Sequence, residues 1–285
     1  MNTKTIIINP RVIEHLGKDL ITSPDVAVLE LVKNSLDAKA DDIKLKLFDS
    51  LDQALECNHM QSGFSNEFDE LLRPYKSKSV FAIEDNGYGM NEQQLTEGFL
   101  MVGTDIKEKT EVEDDLLGQK GIGRLATQRL GVALFLETVS QESVSERNYL
   151  FFNWAKIIAG DNNIPSETAS NDSSPYTRLW ILGADIDDYI EMGSQLTLMD
   201  DYSLLQVNDS LKTALNFVIS PFMGNREASP KISLHYNAHE IDFSFPRHML
   251  SLAESRHYFR LGEAAPVGVS QGGDLEPYLA YGLVL

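Results

Sequence analysis

Residues 24–38 read PDVAVLELVKNSLDA, and this stretch decides how the rest of the chain is read. Ser23 stands where a helix N-cap is wanted, and Pro24 suits a first turn, where its missing N–H has no partner to lose. At about 100° per residue, Glu30, Asn34 and Asp37 fall in one narrow stripe. Val28, Leu29, Leu31, Val32 and Leu36 occupy the opposite side. A carboxylate, an amide and a second carboxylate are thus aligned on a helix whose back is buried. Two readings stay open on these residues alone. One is a solvated face. The other is the polar wall of a ligand pocket, with an amide oxygen ready for a metal ion and a carboxylate ready to orient water.

Outward from this helix, DDIKLKLF alternates Ile43, Leu45 and Leu47 against Lys44 and Lys46, the pattern of a strand with one buried face. Residues 49–78 are polar and irregular, with a short helix around Phe68 to Leu72. SVFAIE (79–84) is a second strand, and it delivers Asp85 to the turn Asp85-Asn86-Gly87-Tyr88-Gly89-Met90. Gly87 and Gly89 let the backbone take positive φ or approach a ligand closely. An ionised Asp only accepts hydrogen bonds, so it suits an exocyclic amino group and repels a carbonyl, a way to choose adenine over guanine. The plainer reading is a tight Asn-Gly turn. Asn91 with Gln94 forms a capping-box pattern for a helix carrying Leu95, Phe99 and Val102 on one side, ended by Gly103.

Residues 104–117 are charged and without periodicity, a surface loop. Gly118-Gln119-Lys120-Gly121-Ile122-Gly123 then runs into the helix RLATQRL, closed by Gly131. Glycine-rich backbone at a helix start offers unpaired N–H groups to a polyphosphate. The common P-loop pattern is absent, and the G-x-G-x-x-A match in GIGRLA lacks the preceding hydrophobic strand that a dinucleotide site needs. VALFLETV, NYLFFNW and YTRLWIL read as strands, and residues 166–175 as a loop. A helical pattern follows Gly183 through Phe217; SPFM interrupts it, and KISLHYNAHEIDFSF reads as a hairpin around Asn237. The sequence ends on the strand-like YLAYGLVL, which suggests a piece of a larger protein.

The 285 residues carry a formal net charge of -19, with 42% hydrophobic and 24% charged residues, a globular balance. So acidic a surface repels phosphate backbones and anionic headgroups, so neither direct nucleic-acid binding nor membrane binding is expected. One cysteine, Cys57, excludes an internal disulfide, and no third group supports it as a nucleophile. His235, His239 and Glu240 do not form a zinc-helix spacing and read as structural or exposed. A soluble, cytoplasmic protein is expected.

The ordered set of E-x-x-x-N-x-x-D-A on a helix, D-x-G-x-G-M at a strand end and G-Q-x-G-x-G at a helix start resembles the GHKL (Bergerat-fold) ATPase superfamily. Its members include DNA gyrase B, the ninety-kilodalton heat-shock chaperones, sensor histidine kinases, MutL-type repair proteins and microrchidia (MORC) proteins. The resemblance covers roughly residues 20–182. It implies an α+β fold, a Bergerat-type sandwich of a mixed β-sheet with helices on one face, followed by a partial second α/β region. It implies ATP and Mg²⁺ as cofactors, Glu30 as the base that activates water, Asn34 as the metal ligand and Asp37 in support. Asp85 takes the adenine position, with Gly87, Gly89 and Met90 shaping the pocket floor. Thr104 and Lys107 resemble the start of an ATP lid, and Gly118, Gln119, Lys120, Gly121, Ile122 and Gly123 its phosphate-binding stretch, although Lys120 reads equally as a solvated loop charge. Thr177 fits the family's threonine beside adenine, with Tyr176 where a glycine is usual.

By the same resemblance, residues 1–22 form an N-terminal segment that can strap a dimer, 23–205 the ATPase domain with an insertion at 49–78 and a lid at 104–123, and 206–285 a helix, a hairpin and the start of a transducer-like region. The family's second lysine, usual in that transducer, has no convincing loop here. The implied activity is Mg²⁺-dependent ATP binding and hydrolysis, slow in isolation, that drives lid closure and homodimerisation of a clamp. Such a clamp would serve a DNA-related or anti-phage role, as some bacterial MORC-like proteins do, with protein partners that the sequence does not name. A histidine-kinase-type phosphotransfer module and a nucleotide-sensing module without turnover are the alternatives.

Overall fold

In the computed structural model, which describes residues 2–5, 23–57, 65–100, 126–161, 163–191, 205–219, 230–237 and 239–241, the quoted stretch forms helix α1, Pro24–Asp37. Ser23 is extended, but its side chain makes no capping bond; the helix opens instead on Pro24 and on the backbone bond from Ala27 N to Ser23 O, 3.2 Å. Ala27, Val28, Leu31, Val32, Ser35 and Leu36 are buried, whereas Glu30, Lys33, Asn34 and Asp37 are half-buried. Lys39, at φ 61, turns the chain back into the sheet.

The strands are β1 (Asn2–Thr5), β2 (Asp42–Phe48), β3 (Val80–Asp85), β4 (Ala133–Ser140), β5 (Ser143–Asn153), β6 (Asn163–Ser170), β7 (Tyr176–Leu182), β8 (Ile190–Glu191), β9 (Gln206–Val207), β10 (Lys231–Tyr236) and β11 (His239–Ile241). Nine of them form one sheet in the order β1-β6-β5-β4-β7-β3-β2-β10-β11, and β8 pairs with β9. Neighbours run antiparallel except β10 and β2, which are parallel, so the sheet is mixed. The fold is the expected α+β sandwich.

Period-two alternation sends the strands' residues to two cores. On one face Ile43, Leu45, Phe81, Ile83, Leu134 and Ile181 pack with α1, with α4 (Ala126–Leu130) and with α6 (Asp209–Ile219). On the other, Val80, Ala82, Phe135 and Trp180 pack with α2 (Leu51–Glu56) and α3 (Asn66–Leu72). The stretch at 49–78 therefore builds a second, smaller layer. Its α3 matches the helix expected near Phe68, and α2 was not expected. Ser50 and Ser65 cap the two helices through their hydroxyls. With β2 between β3 and β10, and with its ammonium 2.8 Å from Glu84, Lys46 is buried rather than solvated.

Other expectations are corrected. β6 takes in residues 166–170, read as loop: NIPSETAS is polar, but Ile164 and Ser166 alternate inward. Trp154 is buried, but it opens the short helix α5 (Trp154–Ile158), capped by Asn153, instead of continuing the strand read in NYLFFNW. After Gly183 the described chain forms a 3₁₀ turn, Ile186–Asp188, then β8 and β9, and is helical only from Asp209. The capping box is present, with Asn91 N to Gln94 Oε1 and Gln94 N to Asn91 Oδ1 both at 2.8 Å. It leads into a π-helical turn, Gln94–Phe99, so the buried pair is Leu95 and Leu100 at a spacing of five, and Phe99 is half-buried edge-on to Phe152. The hairpin stands as read, with Asn237 at φ 54 in its turn. His235 shares a hydrogen bond with Ser233, 2.9 Å, and His239 is exposed. Val102, Gly103 and the terminal YLAYGLVL lie outside the described residues.

Candidate functional site

Strand β3 ends in Asp85, which the alternation points toward α1 and away from α2 and α3. The carboxylate is 7% exposed. Oδ2 accepts a hydrogen bond from Ser35 Oγ at 2.8 Å, and Oδ1 accepts from Gly87 N at 3.0 Å. Burial pushes its pKa up to about 6, with the Gly87 and Ser35 bonds pulling the other way and the Glu84 charge adding a little to the rise. Sequence reading missed Ser35. Its signal was a hydroxyl set in the apolar stripe of α1, where a buried donor must find a partner.

The following turn is held from three sides. Asn86 accepts from Asp41 N and Asp42 N through one oxygen, both at 3.0 Å. Tyr88 N donates to Ala38 O at 2.9 Å, and Gln141 N donates to Tyr88 O at 2.8 Å. A Cβ on Gly87 would lie 2.7 Å from Ala38 O and 2.9 Å from Asp85 Oδ1. Gly89 sits at φ +64, and a Cβ there would lie 1.8 Å from Val139 O. Both glycines are needed for close approach, and Gly89 also for its backbone angle.

Beside Asp85, Thr177 on β7 is its register partner, and Thr138 on β4 is the partner of Thr177. Thr138 Oγ1 donates to Tyr176 O at 2.9 Å and accepts from Met90 N at 3.0 Å. Its single proton is thereby committed, so the 3.2 Å contact between the two threonine hydroxyls is donated by Thr177. Thr177 keeps its acceptor lone pairs. Thr138 was also missed in the sequence, although it continues the buried face of Leu134 and Leu136.

Tyr176, one residue earlier, faces the opposite side. Its hydroxyl donates to Glu137 at 2.6 Å, and the Arg178 guanidinium lies over its ring, 4.4 Å from the centroid. Arg178 Nε bonds Glu84 at 3.0 Å, and Lys46 Nζ bonds the same oxygen at 2.8 Å. Burial would raise Glu84, but these two cations outweigh it and hold the carboxyl below its usual range. The aromatic residue in place of a glycine therefore leaves the Asp85 face untouched.

On α1, Glu30, Asn34 and Asp37 share the expected stripe, and Lys33 Nζ contacts Glu30 Oε1 at 2.9 Å. Thr104, Lys107, Gly118, Gln119, Lys120, Gly121, Ile122 and Gly123 lie outside the described residues.

A family model described as histidine kinase-, DNA gyrase B- and HSP90-like ATPase matches residues 21–178, more than half of the chain. The chain belongs to this family. Its GHKL-type domain thus includes α1, the Asp85 turn and the start of β7. One relative is the DNA mismatch repair protein MutL of Petrotoga mobilis, 32% identical over 81 residues, 28% of this chain. That match spans only 13% of the relative's own length. The GHKL assignment carries ATP binding with it. Among the described residues, no helix is long and apolar enough to cross a membrane.

Proposed function

We propose that the chain binds and hydrolyses ATP between α1 and the Asp85–Thr177 edge of the sheet. The observation that carries this reading is the buried Asp85 carboxylate beside the Thr177 hydroxyl. Both accept hydrogen bonds, and the adenine amino group has two protons to give. Guanine presents a carbonyl there, which the two acceptors repel. Gly87 and Gly89 let the turn pack against Ala38 and Val139, which holds Asp85 in place for the base.

Asn34 supplies a neutral, hard oxygen on the same stripe as Glu30, a donor that suits Mg²⁺ completed by phosphate and water oxygens. The ion would neutralise charge on the phosphates. Asp37, one turn along from Asn34, supports the metal side of the stripe. Glu30 takes a proton from a water molecule as its oxygen attacks the γ-phosphorus. The bond from that phosphorus to the bridging oxygen breaks, and ADP and inorganic phosphate leave. Thr104, Lys107 and the Gly118–Gly123 stretch contribute phosphate contacts as a lid, whose closure favours a homodimer. The partial likeness to a DNA mismatch repair protein favours a DNA-related clamp of this type.

Glu30→Gln tests the chemistry. It is expected to bind ATP within about threefold of wild type while phosphate release falls at least about a hundredfold, the usual scale for losing a general base. Unchanged turnover in this variant would remove the mechanism, and phosphohistidine in place of free phosphate would favour a kinase.

A further inference from the structure

The stripe on α1 holds a fourth polar residue. Lys33 lies about 60° around the helix from Glu30, given about 100° per residue, and its Nζ is 2.9 Å from Glu30 Oε1. The lysine side chain is 22% exposed and the glutamate 31%. A lysine on a helix surface ordinarily keeps its ammonium fully in water. This side chain is mostly withdrawn from water, on the edge of the stripe one turn before Asp37.

Charge makes that position consequential. Besides Lys33, the ionisable residues of α1 are Asp25, Glu30 and Asp37, all acidic. A triphosphate set against Glu30 and Asp37 meets like charge, and Lys33 is the cation that this helix offers it. The pair with Glu30 is partly solvated, and such pairs hold weakly. An ammonium on a flexible four-carbon stem exchanges partners at little cost when a more highly charged one arrives. While the pair persists, it also occupies a lone pair of the carboxylate that water activation requires.

We propose that Lys33 is a catalytic residue with two positions: paired with Glu30 when the site is empty, and on the γ-phosphate when ATP is bound, which frees the Glu30 carboxylate for water. This rests on the ATPase reading above. It adds a γ-phosphate contact from the helix itself, separate from the lid.

The test is calorimetric titration of the full chain with ATP and with ADP, in Mg²⁺, for wild type, Lys33→Gln and Lys33→Arg. A charge-assisted contact to the γ-phosphate is worth about a tenfold change in affinity. Lys33→Gln is therefore expected to weaken ATP about tenfold while ADP stays within about twofold, and to lower phosphate release at saturating ATP. Lys33→Arg is expected to restore most of the ATP-to-ADP ratio. ADP binding doubles as the check that each variant is folded. An unchanged ATP-to-ADP ratio in Lys33→Gln overturns the proposal and leaves the ATPase reading standing. Failure of wild type to bind either nucleotide overturns both.

Discussion

A carboxylate buried as deeply as Asp85 destabilises the protein that carries it while it is ionised. The rise from 3.8 to about 6 corresponds to a cost on the order of 3 kcal/mol for keeping it ionised. The sign follows from linkage. The folded pKa lies above the unfolded one, so the stabilising contribution is present below about pH 4 and is lost as pH rises through about 6. Asp85→Asn can keep the local bonds, because its oxygen can accept from Gly87 N and its amide can donate to Ser35. The variant is therefore expected to melt higher than wild type at pH 8 and to lose most of that advantage by pH 4.5, as scanning calorimetry would record. ATP affinity is expected to fall below about pH 6, by up to about tenfold per unit, because the amino group of adenine needs the ionised acceptor. A pH-independent affinity between 5 and 8 would contradict this. Gly89→Ala belongs at the same scale: left-handed backbone and overlap with Val139 O are expected to cost more than about 3 kcal/mol in urea unfolding, or to prevent folding.

At the scale of elements, strand alternation separates recognition from support. Thr177 and Asp85 face α1, whereas Tyr176, Arg178 and Glu84 form a charged layer behind them. Tyr176→Phe removes the 2.6 Å donor to Glu137, which is 1% exposed, so a loss of about 1–3 kcal/mol is expected in urea unfolding. ATP affinity is expected to stay within about twofold, since the change lies on the far face; a large loss of affinity would show that the two faces are not separable. The same alternation explains what could be read in advance. Helix α1, strands β3 and β7 and the turn at Asp85 were legible because each combines a strong period with turn or capping residues. Strand β6 was not, because its polar sequence gains its place from pairing with β5 and with residues 2–5. Ser35 and Thr138 were hidden for a related reason. A hydroxyl inside an apolar stripe signals a buried bond, but only the fold says to whom.

The whole molecule joins these parts through one sheet whose two faces do different work. One carries α1 and the candidate site; the other is covered by α2 and α3. Under the proposed function, a non-hydrolysable ATP analogue is expected to shift the chain from monomer to dimer in size-exclusion chromatography with light scattering. With a net charge of -19, that shift should strengthen as salt screens repulsion between the two copies. A mass unchanged by the analogue would sink the clamp while leaving nucleotide recognition intact. Recognition itself is tested most directly by titrating the 285-residue chain with ATP and GTP in Mg²⁺, beside Asp85→Asn. The account predicts that ATP binds, that GTP binds at least about tenfold more weakly, and that the variant binds neither. Equal affinity for the two nucleotides, or wild-type ATP binding by Asp85→Asn, would contradict it.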